Sequence, residues 1–154
     1  MSISDYYQVK TLGNVKDYAS MPTTGGYVAT GVHGPITAVL PPEKAGYVAL
    51  HEFFAGEPRG KHYHKVKSEY MLVLSGNLQY QLFMPNKKSI EQEGIETVVL
   101  KSGQLIHVSP PLAHIVTAID GDVQAIEFAQ EPYTPDDDIK VSQEILDLVD
   151  QVSA

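Results

Sequence analysis

Short apolar runs separated by glycine, proline and polar clusters dominate the chain up to about residue 130. Runs of this length with turn residues between them predict an antiparallel sandwich or barrel, not a helical bundle. Gly76–Asn77 and Asp120–Gly121–Asp122 predict tight turns between neighbouring strands, and Pro41–Pro42 predicts a break. The predicted strands are 27–31, 35–40, 46–54, 60–65, 68–75, 78–84, 95–100, 104–109, 113–118 and 123–129.

The pattern changes to a helical period after Asp136. The apolar positions recur at intervals of four, three and four residues, which places them on one helix face: Val141, Ile145, Leu148 and Val152. Asp137 or Asp138 is predicted to cap this helix. The helix is expected either to cover an open face of the barrel or to form a dimer contact. We therefore divide the chain into an N-terminal arm (1–26), a barrel (27–130) and a C-terminal helical segment (131–154).

Composition restricts the function classes. The 154 residues suit one domain, and the absence of cysteine excludes disulfide and thiolate chemistry. A net charge of −8 argues against nucleic-acid binding. No run is long and apolar enough for a membrane span or a signal peptide, so a cytoplasmic location is expected. The basic cluster of Arg59, Lys61, Lys65 and Lys67 is interpreted as a solvated strand edge, and the Asp136–Asp138 run as a solvated turn.

Three residues near the middle of the chain suggest a metal site. His62 and His64 are two apart on a predicted strand, so their imidazoles project to the same side. Glu69 follows a turn and begins the antiparallel neighbour, where Met71 and Val73 share its face. An unpaired carboxylate among apolar side chains would be unfavourable. Two neutral imidazoles and a carboxylate suit a divalent ion, which would remove that cost.

A second segment supplies a fourth candidate ligand. The stretch 103–114 contains a Pro110–Pro111 pair that ends one strand, and His114 begins the next. The inward positions of that strand are otherwise apolar, with Val116 and Ala118 on the same side as the histidine. His114 is therefore predicted to project toward the same interior as the first three candidate ligands.

At this point the chain resembles the cupin superfamily. Gly56, His62, His64, Glu69 and Gly76 match the spacing of the first cupin motif, and 103–114 resembles the second. Pro111 and Ala118 depart from the second motif, which concerns the loop shape and not the ligands. The resemblance implies an all-β cupin barrel (a double-stranded β-helix or jelly roll) with a C-terminal α-helix. It also implies one divalent metal, Fe, Mn, Zn or Ni, held by His62, His64, Glu69 and His114.

Other residues receive weaker roles. His107 shares parity with Leu105 and is a candidate general base or substrate contact, while His51 is given a structural role. Tyr80 is a candidate substrate contact on a strand face that would line the cavity. The stretches 59–65 and 129–139 are similar to segments of cupins that isomerise or epimerise nucleotide-linked keto sugars, so Arg59 or Lys61 is a candidate phosphate contact.

The expected site has open coordination positions, which suits a working enzyme. The leading hypothesis is a metal-dependent isomerase or epimerase that transfers a proton on a small oxygenated substrate, such as a sugar derivative. The alternatives are a metal-dependent dioxygenase and a non-catalytic cupin that binds a small ligand. The expected partner is a small molecule, with no nucleic acid and no membrane, and the expected assembly is a homodimer.

Overall fold

The computed structural model describes residues 2–11, 27–31, 34–38 and 46–153. The apolar runs form strands, as their length and turn residues predicted. Within the described ranges the helical elements are α1 (Lys87–Glu93), α2 (Gln143–Ser153) and two 3₁₀ turns (Ile3–Tyr6 and Pro135–Asp137). The strands are β1 (Tyr7–Thr11), β2 (Tyr27–Gly31), β3 (Gly34–Ala38), β4 (Tyr47–Phe53), β5 (Arg59–Tyr63), β6 (Glu69–Phe83), β7 (Glu96–Lys101), β8 (Gln104–Val108), β9 (Ala113–Ala129) and β10 (Ile139–Lys140).

Antiparallel pairing organises these strands into one large sheet. Eight strands belong to it, along the path β1-β8-β6-β9-β5-β10, with β4 added to β9 and β7 added to β6. Strands β2 and β3 form a separate pair. The arrangement is a cupin-like jelly-roll barrel with a C-terminal helix, which confirms the predicted fold class. The proposed division into an arm, a barrel and a tail stays a prediction, although β1 of the arm pairs with β8.

Two long strands run through the middle of the sheet where the sequence predicted hairpins. The prediction of tight turns at Gly76–Asn77 and at 120–122 is wrong, because β6 and β9 continue through these positions. The pairing shifts there instead, from Ser75 opposite Gln124 to Asn77 opposite Ile119. Gly76 has φ +84°, and a Cβ on it would lie 2.8 Å from the Asp122 carbonyl oxygen. A bulge uses the same glycine geometry as a turn, which explains the error.

Side chains alternate between the two faces of each strand, and those on one face form the barrel interior. The largest buried cluster contains Met71, Val73 and Leu78 from β6, together with Ile106 and Val116 from its neighbours. Each such side chain contributes roughly 1.5–3 kcal/mol when fully buried. Adjacent positions of the same strands face the other side, where Tyr70, Leu105 and Phe128 form a separate cluster. The sheet therefore has two apolar faces around its long strands.

The tail helix starts later than its apolar period suggested. Helix α2 begins at Gln143, and the Ser142 hydroxyl accepts a hydrogen bond from the Ile145 amide (3.4 Å). The predicted caps Asp137 and Asp138 lie outside the helix, in the 3₁₀ turn and just after it. The helix packs on the barrel through a buried cluster, which confirms the covering role: Phe83, Ile90, Ala113, Ile115, Val141 and Val149. The alternative role as a dimer contact stays a prediction.

One short helix lies between the predicted strands 78–84 and 95–100, where no element was predicted. In α1 the Asn86 side chain accepts a hydrogen bond from the Ser89 amide, which makes Asn86 the N-cap. Gly94 ends the helix with φ +78°, and its amide donates to the Ile90 carbonyl. Among the described residues, no helix is both long and apolar enough to cross a bilayer.

Candidate functional site

Three adjacent strand ends bring the predicted ligands together. His62 of β5 pairs directly with His114 of β9, and Glu69 begins β6. The rings of His62 and His64 have centroids 4.9 Å apart, and those of His62 and His114 are 4.7 Å apart. The ligand atoms of His62, His64 and Glu69 lie within 4.8 Å of one another. His114 joins this group through Glu69, because its Nε2 lies 3.2 Å from Glu69 Oε2.

Glu69 is the charge around which the site is arranged. Its Oε1 lies 2.9 Å from His64 Nε2 and 2.9 Å from the Lys67 ammonium. Burial alone would favour the neutral acid, but His114, His64 and Lys67 outweigh it and hold the pKa of Glu69 well below its ordinary value. Glu69 is therefore an ionised, buried carboxylate that faces the histidine rings.

The hydrogen bonds of His64 fix where its proton lies. Its Nδ1 is 2.7 Å from the Asp137 carbonyl oxygen, which can only accept, so Nδ1 carries the hydrogen. Its Nε2 then points a lone pair at a carboxylate oxygen 2.9 Å away. Two acceptors at that distance need a cation between them. Burial lowers the pKa of His64, but Glu69 and the Asp137 carbonyl raise it by more, so the net shift is upward. A proton therefore lies between His64 Nε2 and Glu69 Oε1 when no metal does.

His62 and His114 are held in the neutral form. Burial, followed by the neighbouring His114, lowers the pKa of His62 to about 4. Burial also lowers the pKa of His114, although Glu69 opposes it. Each has a buried Nδ1 without an aligned hydrogen bond among the described residues, and for His62 the Asp138 carboxylate lies 2.8 Å away. Neutral imidazoles are lone-pair donors, which is the form that a metal ligand requires.

Three of the four candidate ligands, His62, Glu69 and His114, line a cavity of about 90 Å³, whereas His64 is not among the lining residues. Arg59 and Tyr80, two predicted substrate contacts, also line it, whereas Lys61 is exposed and is not among the lining residues. Tyr80 is buried 6.0 Å from the His114 ring, ring centre to ring centre. The lining residues are His51, Phe53, Arg59, Gly60, His62, Glu69, Met71, Tyr80, His114, Val116 and Glu127.

His107 lies elsewhere, which corrects its predicted place in the cavity. Its ring stacks on Tyr70 at 4.2 Å, and Tyr70 stacks on Phe128 at 5.2 Å. Tyr70 follows Glu69 on β6, so it projects from the opposite face of the sheet. His107 is paired with Tyr70 and shares that face. His107 does lie on the same face of β8 as Leu105, as predicted. Leu105, however, belongs to the cluster with Tyr70 and Phe128 and does not line the cavity.

Three further polar residues of the site were missed by the sequence analysis. Lys67 is only 4% exposed, so its assignment to a solvated strand edge was wrong. Its ammonium bridges Glu69 Oε1 at 2.9 Å and Glu127 Oε1 at 2.7 Å. His51, to which we gave a structural role, lies 2.8 Å from Glu127 Oε2. A glutamate within the apolar run 123–129 was the available signal for this group.

The acidic run after the barrel holds the ligand loop in place. The Asp137 carboxylate accepts hydrogen bonds from the amides of Lys65, Val66 and Lys67 at 2.8 to 3.0 Å. Burial opposes its ionisation, but these three amides lower the pKa of Asp137. Next to it, β10 pairs with β5 opposite His62. The interpretation of 136–138 as a solvated turn is therefore wrong for Asp137, which ties the tail to the site.

No family model matches the sequence, and no curated protein matches it significantly. Solved structures do share the fold. A 3,4-ketoisomerase from Helicobacter canadensis is 13% identical with a TM-score of 0.62, covering 94% of this chain and 97% of that one. The 3'-monoepimerase from Streptomyces bikiniensis, in complex with dTDP-quinovose, is 13% identical with a TM-score of 0.63 (92% and 72% covered).

A third solved structure binds a keto sugar. It is a variant of the 3,4-ketoisomerase from Thermoanaerobacterium thermosaccharolyticum in complex with TDP-4-keto-6-deoxyglucose. It is 14% identical with a TM-score of 0.59, and the match covers 96% of this chain and 94% of that one. At these identities the likeness establishes the fold. The chemistry of this chain has to be argued from its own residues.

Those residues combine two kinds of group in one cavity. One part holds neutral imidazoles around an ionised carboxylate, which is a donor set for a divalent ion. The other part holds His51 and Glu127, an imidazole next to a carboxylate. A donor set that suits a cation and an imidazole–carboxylate pair in one cavity are the groups that proton abstraction next to a carbonyl requires.

Proposed function

We propose that this chain is an isomerase or epimerase that moves a proton on a small oxygenated substrate, a sugar carried by a nucleotide, and that it uses one divalent metal. His62, His64, Glu69 and His114 would hold the ion. The observation that carries the proposal is the cluster of donor atoms: those of His62, His64 and Glu69 lie within 4.8 Å of one another, and His114 Nε2 lies 3.2 Å from Glu69 Oε2. When bound, the ion would polarise a carbonyl oxygen and stabilise the enediolate charge.

The surroundings of the ligands support a metal site. Ligating histidines commonly give their second nitrogen to a carbonyl or carboxylate, which fixes the tautomer. His64 does so with the Asp137 carbonyl at 2.7 Å, and the Asp138 carboxylate lies 2.8 Å from His62 Nδ1. In His64 this leaves Nε2 as the ligating atom.

The size and charge of the cavity favour entry by one end of a larger anionic substrate. Sites for whole ligands of drug size usually measure about 300–1,000 Å³, whereas this cavity measures about 90 Å³. Only a small reacting end fits, so the remainder of the substrate would lie outside. Arg59 is exposed at the cavity, and its guanidinium lies 5.1 Å from the Phe53 ring centre. A guanidinium in that position suits a phosphate group.

The two alternative functions, a dioxygenase and a non-catalytic binding protein, differ from the isomerase in what they do to the substrate. A dioxygenase would use the same donor set, and a binding protein would hold a ligand without turnover. No contact among the described residues favours either over proton transfer, whereas the His51–Glu127 pair favours proton transfer. The homodimer stays a prediction.

The test is turnover of a keto sugar nucleotide in deuterated water. Protein loaded separately with Fe(II), Mn(II), Zn(II) or Ni(II) is incubated with TDP-4-keto-6-deoxyglucose and followed by NMR and by an oxygen electrode. We expect deuterium to enter the sugar with at least one metal, without oxygen uptake, and to stop after chelation. Oxygen consumption would replace the proposal with the dioxygenase. Exchange that survives chelation would remove the metal from it, and a ligand-induced rise in melting temperature without exchange would leave only binding.

A further inference from the structure

His51 and Glu127 form a pair on the wall of the cavity formed by β4 and β9. They occupy diagonal positions on one face, because His51 pairs with Ala125 and Ala49 pairs with Glu127. His51 Nε2 lies 2.8 Å from Glu127 Oε2. Both residues line the same cavity as three of the four candidate ligands, His62, Glu69 and His114.

The second oxygen of Glu127 is occupied by a cation. Lys67 donates to Oε1 at 2.7 Å, and its ammonium also lies 4.4 Å from the centre of the Tyr47 ring. The oxygens of a carboxylate accept, and Lys67 occupies Oε1, so the hydrogen of the contact between Oε2 and His51 lies on the imidazole Nε2.

This arrangement fixes the tautomer of His51. When Nε2 carries the hydrogen, the lone pair of the neutral ring lies on Nδ1. The ring plane is also constrained, because it stacks on Phe53 with centroids 5.5 Å apart and an interplanar angle of 22°. Phe53 contacts Arg59 as well. The His51 imidazole and the Arg59 guanidinium therefore both pack against the Phe53 ring at the cavity.

We infer that His51 is the residue that takes and returns the proton, and that Glu127 positions it. This rests on the proposed function. The C–H bond on the carbon next to the ketone breaks, its proton forms an N–H bond at His51 Nδ1, and its electron pair enters the C=C bond of an enolate. For isomerisation, the imidazolium then gives this proton to the former carbonyl carbon, while the proton of the neighbouring hydroxyl moves to the former carbonyl oxygen and the hydroxyl carbon becomes the ketone. Glu127 holds the ring and stabilises its transient positive charge.

A purely structural role is the competing explanation for the pair. A buried glutamate needs partners, and Lys67 together with His51 would satisfy it without any chemistry. That role predicts a loss of stability when His51 is replaced, but no specific loss of proton exchange in folded, metal-loaded protein. The two explanations therefore differ in a measurable quantity.

The experiment measures deuterium wash-in to TDP-4-keto-6-deoxyglucose for wild type, His51→Gln and Glu127→Gln, all loaded with metal. We expect His51→Gln to slow exchange by about 100-fold or more, the usual contribution of a general base. Its metal content per chain and its dissociation constant for TDP should stay within about 3-fold of wild type. Glu127→Gln should lose less, because an amide oxygen still accepts from Nε2. Imidazole added to His51→Ala should restore part of the rate.

His107→Gln is the matched control, since His107 is a half-buried histidine outside the cavity, and it should exchange within about 3-fold of wild type. If wild type exchanges and His51→Gln does so equally fast, the inference is overturned and the proposed function stands. If wild type does not exchange, both fail. A measurement without substrate checks the geometry: ¹⁵N NMR above pH 8, where imidazoles are neutral, should show the hydrogen of His51 on Nε2. A hydrogen on Nδ1 would overturn the inference.

Discussion

His114 and His107 lie on opposite faces of the same sheet and have much in common. Both are neutral because burial lowers the pKa of each, and each has one buried ring nitrogen without a hydrogen bond among the described residues. They differ in their neighbours. His114 Nε2 faces an ionised carboxylate at 3.2 Å, whereas the His107 ring lies 4.2 Å from the flat face of Tyr70.

The comparison shows that burial and a shifted pKa do not by themselves make a site. Desolvation acts on both histidines, yet only one of them belongs to a group of charges that faces a cavity. The inner face brings together Glu69, Glu127 and Lys67, and the outer face brings together aromatic rings. The predictions below separate the two faces, beginning with the largest effect.

Lys67→Met should produce the largest loss of stability. It removes the cation between two buried carboxylates, and breaking a buried ion pair costs about 3–5 kcal/mol. The measurement is urea unfolding of metal-free protein at pH 7. The control is Lys87→Met, whose pair with Glu91 is exposed and 3.9 Å long and should contribute less than about 0.5 kcal/mol. Equal effects of the two substitutions would contradict the buried network.

Asp137→Ala should have an intermediate effect. It leaves the amides of Lys65, Val66 and Lys67 without their acceptor, which should cost about 2 kcal/mol. It should also weaken metal binding, because the loop carrying the ligand His64 loses its support. Asp136→Ala is the control, since Asp136 is exposed in the same run. A matching loss of stability in the control would show that the loop does not depend on Asp137.

His107→Gln should change only the pH dependence of stability, and by the smallest amount. Burial, which outweighs the nearby Glu131, lowers the pKa of His107 in the folded state. The unfolded chain, with a pKa of about 6.5 at this residue, therefore binds the proton first. The contribution of neutral His107 to the stability of the folded state is therefore fully present above about pH 6.5 and decreases as the pH falls below that value. The variant should lose less stability than wild type between pH 7.5 and pH 5. A steeper loss would contradict the assignment.

Much of the inner face could be predicted from sequence, since it depends on local spacing. His62 and His64 share a side because strand positions alternate, and Glu69 meets them after one turn. The Lys67–Glu127–His51 group was not predictable in this way, because it joins residues that are 60 and 76 positions apart in the chain. Lys67 was misassigned because its neighbours Lys65 and Val66 are exposed, and only the carboxylates opposite it explain its burial.

The turns show the same limit. Gly76 and the Asp120–Gly121 pair have positive φ values, as the sequence predicted for turns. The positive φ does not specify whether the chain reverses or only bends. The partner strand decides this, and here β6 and β9 continue along each other on both sides of the bulge.

The central claim is that the histidines of the inner face hold a metal ion. Its most direct test is the metal content per chain, measured by mass spectrometry on protein purified without chelator. We expect close to one ion for wild type and for His107→Ala, and almost none for His62→Ala and His114→Ala. Full metal content in both of the last two variants, or its loss in His107→Ala alone, would contradict it.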